Sequence, residues 1–304
     1  MSVRTIALIH PHKALLPEVG VYARYFERHG YETRVFAASN PRAWNGFDVE
    51  WHFMGLDLRR PTPGRIKIHE YVSGSVPPMP RLKDRIKRWV NVRPDARVFG
   101  NALLAQRLQF TGNVPALVRP AGIDPSFLSG EERASPEYDL VYCGAMDEAR
   151  NLVPWIAHVL AGLPGAKLLL VGPPSDAMWQ AFKAHPGVVF SGHAPYAEVP
   201  GLLTKAEYGL NLIPDRYPFH IQTPLKFLEY CAVGLKVIST PTAWIRQFER
   251  QRQGRFFYLG EKGPALSWER LRHFPFATPP VDDLAWDRLL ESSGIPALLE
   301  RLTE

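Results

Sequence analysis

Short runs of β-branched and apolar residues alternate with stretches of helical periodicity along most of this chain, and that alternation restricts the available folds more than any other feature. TIALIH (5–10) has the composition of a buried strand. GVYARYFERHG (20–30) sets Val21, Tyr25 and Phe26 on one helical face and stops at Gly30, and ETRVFA (32–37) returns to strand. VEWHFM (49–54), RIKIHEYV (65–72), ARVFGN (96–101) and PALVRPAGID (115–124) continue the series, with ALLAQRLQF as a helix after residue 101. LSGEERASPEYD (128–139) is polar and turn-rich, and marks a domain boundary. The pattern then restarts, with strands at DLVYCG (139–144), AKLLLVG (166–172), GVVFSG (187–192), YGLNLIP (208–214) and LKVIST (235–240). Helical segments at 151–163, 175–185, 199–206 and 224–234 separate them. Strand alternating with helix calls for parallel sheets covered on both faces. The expected architecture is α/β with two doubly wound domains, 1–130 and 131–284, and one or two terminal helices at about 285–304.

Composition narrows the class. At 304 residues and 46% apolar the chain is large enough for two cores, and no apolar run approaches the ~18–20 residues that span a bilayer. A soluble, cytoplasmic protein is expected. The two cysteines, Cys143 and Cys231, each lie in an apolar run with no CxxC pairing, so a disulfide framework or zinc site is not expected. Charge is unevenly spread. Residues 1–130 hold 19 Lys and Arg against 10 Asp and Glu, net +9; the rest, by subtraction from 36 and 30, holds 17 against 20, net −3.

QTPLKFLEYCAVGLKVIST (222–240) is the most informative single stretch. Gln222 and Thr223 form a polar pair, Thr223 has N-cap chemistry, and Pro224 suits a first helical position. The helix start, with its free amides and positive dipole end, is an anion site, and in an open α/β sheet it lies at the carboxyl edge of the strands. Lys226 and Glu229, three apart, share a face, so one cation can meet a phosphate and one carboxylate a vicinal diol. The same spacing also describes an ordinary capped helix with a solvated Lys–Glu pair.

PLKFLEYCAVGLKVIST resembles the donor-site segment of GT-B glycosyltransferases of the family-four-like, "group 1" kind, often P-x-K-x-x-E-Y-x-A-x-G-x-P-V. VRPAGIDPSF, VYCGAMDEARN, LLLVGPP and VVFSGH resemble further elements of that family in the same order, so the likeness covers roughly residues 115–240. The resemblance implies two Rossmann-like domains facing across a cleft, the first binding an acceptor and the second a nucleotide diphosphate sugar, which is a substrate and not a cofactor. It implies that Glu229 binds the ribose hydroxyls, that Gln222, Thr223 and the helix start at Pro224 hold the diphosphate, and that Arg150 and Lys226 act on the phosphates. Gly144 would admit the donor, Gly172, Gly192 and His193 would border base and phosphates, and Gly20 would lie across the cleft. No Asp-x-Asp motif is present, and the class works without a catalytic metal. The chain departs from the pattern at Ile221, where many relatives carry a second glutamate, and at Ala145 and Lys236. A catalytically inactive sugar-binding or scaffold subunit, and a sugar-nucleotide 2-epimerase of the same fold, are the alternative readings.

On the acceptor side the candidates are His10 and His12 after the first strand, the adjacent His69 and Glu70 in KIHEYVSGS, and His220 just before the phosphate turn. RLKDRIKRWV (81–90) places Leu82, Ile86, Trp89 and Val90 on one helical face among five cations. That is the pattern of a helix on an anionic membrane; a packed helix with a solvated basic rim fits it equally. No nucleic-acid module accompanies the charge, so nucleic acid is not expected as a partner. The expected acceptor is a saccharide, free or lipid-linked, used in surface polysaccharide assembly at the inner membrane face.

Overall fold

The computed structural model describes residues 5–11, 16–128, 135–260 and 265–303, so His12 and part of the polar stretch after Leu128 lie outside the described residues. The chain divides into two compact units, the first comprising residues 1–122 with 283–304 and the second residues 123–282. The change of unit at 122/123 precedes the polar stretch.

In the first unit, β1 (Thr5–His10), β2 (Glu32–Ala37), β3 (Val49–Phe53), β4 (Ile66–Tyr71), β5 (Ala96–Phe99) and β6 (Ala116–Val118) form a parallel sheet in the order β2-β1-β3-β4-β5-β6. Helices α1 (Pro17–Arg28), α2 (Pro80–Val90) and α3 (Ala102–Leu108) connect the strands. Gly20 therefore lies inside α1, with ordinary helical space around it: an added Cβ would meet only the Arg24 side chain, at 3.5 Å.

In the second unit, β7 (Tyr138–Cys143), β8 (Leu168–Val171), β9 (Val188–Gly192), β10 (Ala206–Asn211), β11 (Lys236–Ser239) and β12 (Phe257–Tyr258) form a parallel sheet in the order β12-β11-β10-β7-β8-β9. Around it run α4 (Leu152–Gly162), α5 (Asp176–Phe182), α6 (Val199–Leu203), α7 (Leu225–Ala232), α8 (Ala243–Arg252) and α9 (Trp268–His273). The chain winds outward from β7 through β8 and β9, then returns to lay β10 on the other side of β7. That reversal opens a crevice beyond the carboxyl ends of β7 and β10, where ligands bind in open sheets.

The terminal helices α10 (Trp286–Ser292) and α11 (Ile295–Thr303) bury Trp286, Leu289, Leu290, Ile295, Leu298 and Leu299 in the same core as Ile6, Leu8 and Trp51. Trp286 lies flat against Gly122, where an added Cβ would come within 2.3 Å of its ring. A glycine at 122 is thus a steric requirement for the return of the chain.

Candidate functional site

The helix at the switch point starts one residue later than its cap chemistry predicts. Pro224 takes the N-cap position in extended conformation (φ −80°, ψ 92°), and α7 begins at Leu225. Proline has no N–H and a fixed φ, so it suits the end of the incoming segment, and its carbonyl accepts from the Phe227 amide at 2.9 Å as the helix begins. Thr223 and Gln222, both half-buried, lead into that turn from a 3₁₀ turn at Phe219–Ile221.

In the first turns of α7 the two charged side chains of the motif are both drawn in from the surface, Lys226 half-buried and Glu229 buried. Lys226 donates from Nζ to the Tyr142 hydroxyl at 2.7 Å and lies 3.9 Å from the centre of that ring. Burial, reinforced by the nearby Arg150 guanidinium, pushes its ammonium down to about 7. Glu229, 5% exposed, accepts from the Tyr196 hydroxyl at 2.7 Å. Burial raises its carboxyl to about 7, and the charge of Asp124 adds to the rise, against the opposing hydrogen bond from Tyr196 and the charge of Lys226. A buried acid and a half-buried base, both poised near neutrality on one helix turn, have the character of a binding or catalytic centre.

Three glycines complete the floor. Gly144, Gly172 and Gly192 follow or end β7, β8 and β9, and all have positive φ (123°, 123° and 70°). An added Cβ at Gly144 would sit 3.2 Å from the Lys226 ammonium, and one at Gly172 would meet the Gly144 carbonyl oxygen at 2.7 Å. The Gly172 amide donates to the Gly192 carbonyl at 2.9 Å, so the three turns lie side by side, all half-buried. His193, next in sequence, is exposed.

Arg150, in a 3₁₀ turn after β7, pairs with Asp147 at 3.4 Å and lies over the Phe219 ring at 5.6 Å. Arg150 also lines a cavity of about 410 Å³ with Trp155, Asp215 and Arg216; Lys226 and Glu229 do not line it. His220 is half-buried, its Nδ1 3.9 Å from Asp215. Thus Gly144, Arg150, Lys226 and Glu229, predicted from separate parts of the sequence, converge at one end of the second sheet.

Three tyrosines complete this site; Tyr230 is the tyrosine of the quoted motif, while Tyr142 and Tyr196 were not singled out from the sequence. Tyr142 and Tyr196 hold the lysine and the glutamate, while the Tyr230 hydroxyl accepts from the Cys143 amide at 2.9 Å and so ties α7 to the end of β7. The one signal available was position: Tyr142 precedes the glycine turn by two residues and Tyr230 follows Glu229. Phe127, in the stretch PAGIDPSF, packs its ring at a tilt against Tyr196, 5.3 Å between centroids, and brings that segment to the same place.

No protein-family model and no curated protein sequence matches the chain. Solved structures do. AviGT4, a glycosyltransferase involved in avilamycin A biosynthesis, superposes with a TM-score of 0.61 at 15% identity, over 98% of this chain and 96% of that one. HepE from Anabaena, in complex with UDP and glucose, gives 0.58 at 11%, over 98% and 95%. A putative UDP-N-acetylglucosamine 2-epimerase from Listeria monocytogenes gives 0.56 at 12%, over 99% and 98%. The fold is GT-B. At these identities the likeness establishes the GT-B architecture and leaves the reaction to the site.

In the first unit of this GT-B chain, His69 and Glu70 are fully buried, and alternation along β4 sends them to opposite faces. His69 shares its Nε2 with Asp57 at 3.1 Å, and burial pushes its imidazole down to about 4. Burial alone would raise the Asp57 carboxyl, but the hydrogen bonds from His69 and Lys67 outweigh it and hold it well below the usual range. Glu70 is bonded to Arg119, to Trp51 Nε1 at 2.8 Å and to the Tyr22 hydroxyl at 3.4 Å. A general base must reach the proton it removes. These two are interior partners of other charges, contrary to the expectation that they serve an acceptor. His10 is buried at the end of β1.

Proposed function

We propose that this protein transfers a sugar from a nucleoside diphosphate sugar to a saccharide hydroxyl. One observation carries the reading: half-buried Lys226 and buried Glu229, one turn apart on α7, stand beside the positive-φ glycine turn at Gly144, at the crevice where the winding of the sheet reverses. In this reading the first-turn amides of α7, with Lys226 and Arg150, receive the diphosphate, and Glu229 accepts from the ribose hydroxyls. Gly144 and Gly172 let backbone approach the donor without a side chain between. The bond from the anomeric carbon to the diphosphate oxygen breaks, the acceptor oxygen bonds to that carbon, and the acceptor proton leaves. The charge that develops on the departing diphosphate is met by the same cations and amides, so no metal is called on. HepE, which shares the architecture, is seen with UDP and glucose, which supports a donor of this class. The acceptor in this reading is a saccharide of a surface polysaccharide, carried on a lipid at the inner face of a membrane.

Titration calorimetry with UDP, GDP, ADP and CMP tests the site. One nucleoside diphosphate is expected to bind, and Glu229→Gln is expected to weaken it by about 1.5–3 kcal/mol, the range for a hydrogen bond to a charged group. Empty titrations with the whole panel would sink the reading. The Listeria epimerase shares the fold, so incubation with the nucleotide sugar that binds is the second arm: transfer or slow hydrolysis supports a transferase, interconversion of the sugar an epimerase, and neither a scaffold.

A further inference from the structure

Helix α2 presents its faces in the reverse of the usual sense. A helix packed on a domain turns its apolar stripe inward. In α2 the buried residue is Asp84, while Leu82 and Ile86 are each 47% exposed and Trp89 is 80% exposed. Asp84 anchors the helix from beneath: its carboxylate accepts from the Ser75 amide at 3.0 and 3.2 Å and pairs with Lys87 at 3.7 Å.

A second segment extends the same face. The Asp57 amide donates to Asn91 Oδ1 at 3.0 Å, and the Val92 amide donates to the Asp57 carbonyl at 2.9 Å. These bonds hold Leu56 and Leu58, 58% and 60% exposed, beside the carboxyl end of α2. The surface charges of the two segments are all of one sign. Asp57 and Asp84 are the acidic residues of segments 54–60 and 76–93, and both are buried, 5% and 6% exposed. Arg60, Arg81, Arg85 and Arg93 of the same segments are exposed.

We propose that this face of the first unit is the docking surface for an anionic lipid bilayer. An apolar stripe alone could take many partners; an apolar stripe among exposed cations, with the carboxylates of both segments turned inward, matches acyl chains beneath anionic headgroups. The side chains of Leu82, Ile86 and Trp89 enter the acyl boundary, and Arg81 and Arg85 rest on the headgroups. The helix lies along the surface; among the described residues no helix is long and apolar enough to cross a membrane. The inference rests on the surface of the first unit and does not require the transfer reaction.

Flotation of the full chain with vesicles of phosphatidylcholine, with and without phosphatidylglycerol, tests it. The protein is expected to float only with the anionic vesicles and to be released by high salt. Arg81→Gln with Arg85→Gln should lower partitioning about 25-fold, at about fivefold per cation near such a surface. Trp89→Ser with Ile86→Ser should abolish it. All four side chains are exposed, so melting temperature and nucleotide affinity, measured alongside, should not move. No flotation of the wild type, or equal flotation on neutral vesicles, overturns the proposal. So does a dimer in sedimentation velocity that Trp89→Ser dissolves while flotation is unchanged, which would make a second copy of the chain the occupant.

Discussion

Lys226 and Glu229 titrate in opposite senses around the same pH, and the proposed site should record both. Below about 7 Glu229 takes up a proton and stops being an anionic acceptor; above about 7 Lys226 loses the charge that would meet a phosphate. A ligand that needs the carboxylate and the ammonium together therefore binds best near pH 7. Binding releases a proton on the acid side, where it ionises Glu229, and takes one up on the alkaline side, where it recharges Lys226. Calorimetry in buffers of different ionisation enthalpy reads both signs. Glu229→Gln should flatten the acid limb and Lys226→Met the alkaline one, and a flat wild-type profile would detach both groups from the ligand. His69 and Glu70 carry the opposite lesson. Adjacent charges in a strand look functional in sequence, but their partners lie 12 and 49 positions away in Asp57 and Arg119. No local pattern announces such pairs.

Glycines at the ends of β7 and β8 differ in kind from the glycine in α1. At Gly172 a side chain would need positive φ and would overlap the Gly144 carbonyl, so Gly172→Ala is expected to cost about 2–3 kcal/mol through strain and overlap. Gly20 has helical backbone and open space, so Gly20→Ala should instead stabilise by about 0.5–1 kcal/mol. Urea midpoints of the two variants measure both, and a gain at Gly172 would remove the steric account of the turn. Activity lost in Gly20→Ala without loss of stability would show that Gly20 faces the donor after all. The elements themselves were legible because β-branched runs and helical periodicity are local. Their ends were less so: Thr223 offers cap chemistry, yet Pro224 takes the cap position, because the backbone entering α7 is set by the 3₁₀ turn before it.

At the level of the whole molecule, the chain returns after residue 282 to finish the core it left at residue 122. Deleting residues 283–304 strips Trp286, Leu290 and Leu298 from the core of the first unit. Hydrogen exchange should then rise in β1 to β6 and stay unchanged in β7 to β12; the reverse pattern would contradict the assignment of these helices. The sequence by itself determined the two parallel α/β sheets, because strand–helix rhythm is written along the chain, and its family resemblance pointed to Gly144, Arg150, Lys226 and Glu229, which the fold brings together. Only the tertiary structure decided which charges are interior pairs, that Tyr142 and Tyr196 hold the lysine and the glutamate, and that α2 turns its apolar face outward. Periodicity fixes which residues share a face, while the direction of that face depends on tertiary partners, such as Ser75 for Asp84 and Asp57 for Asn91, that anchor the helix.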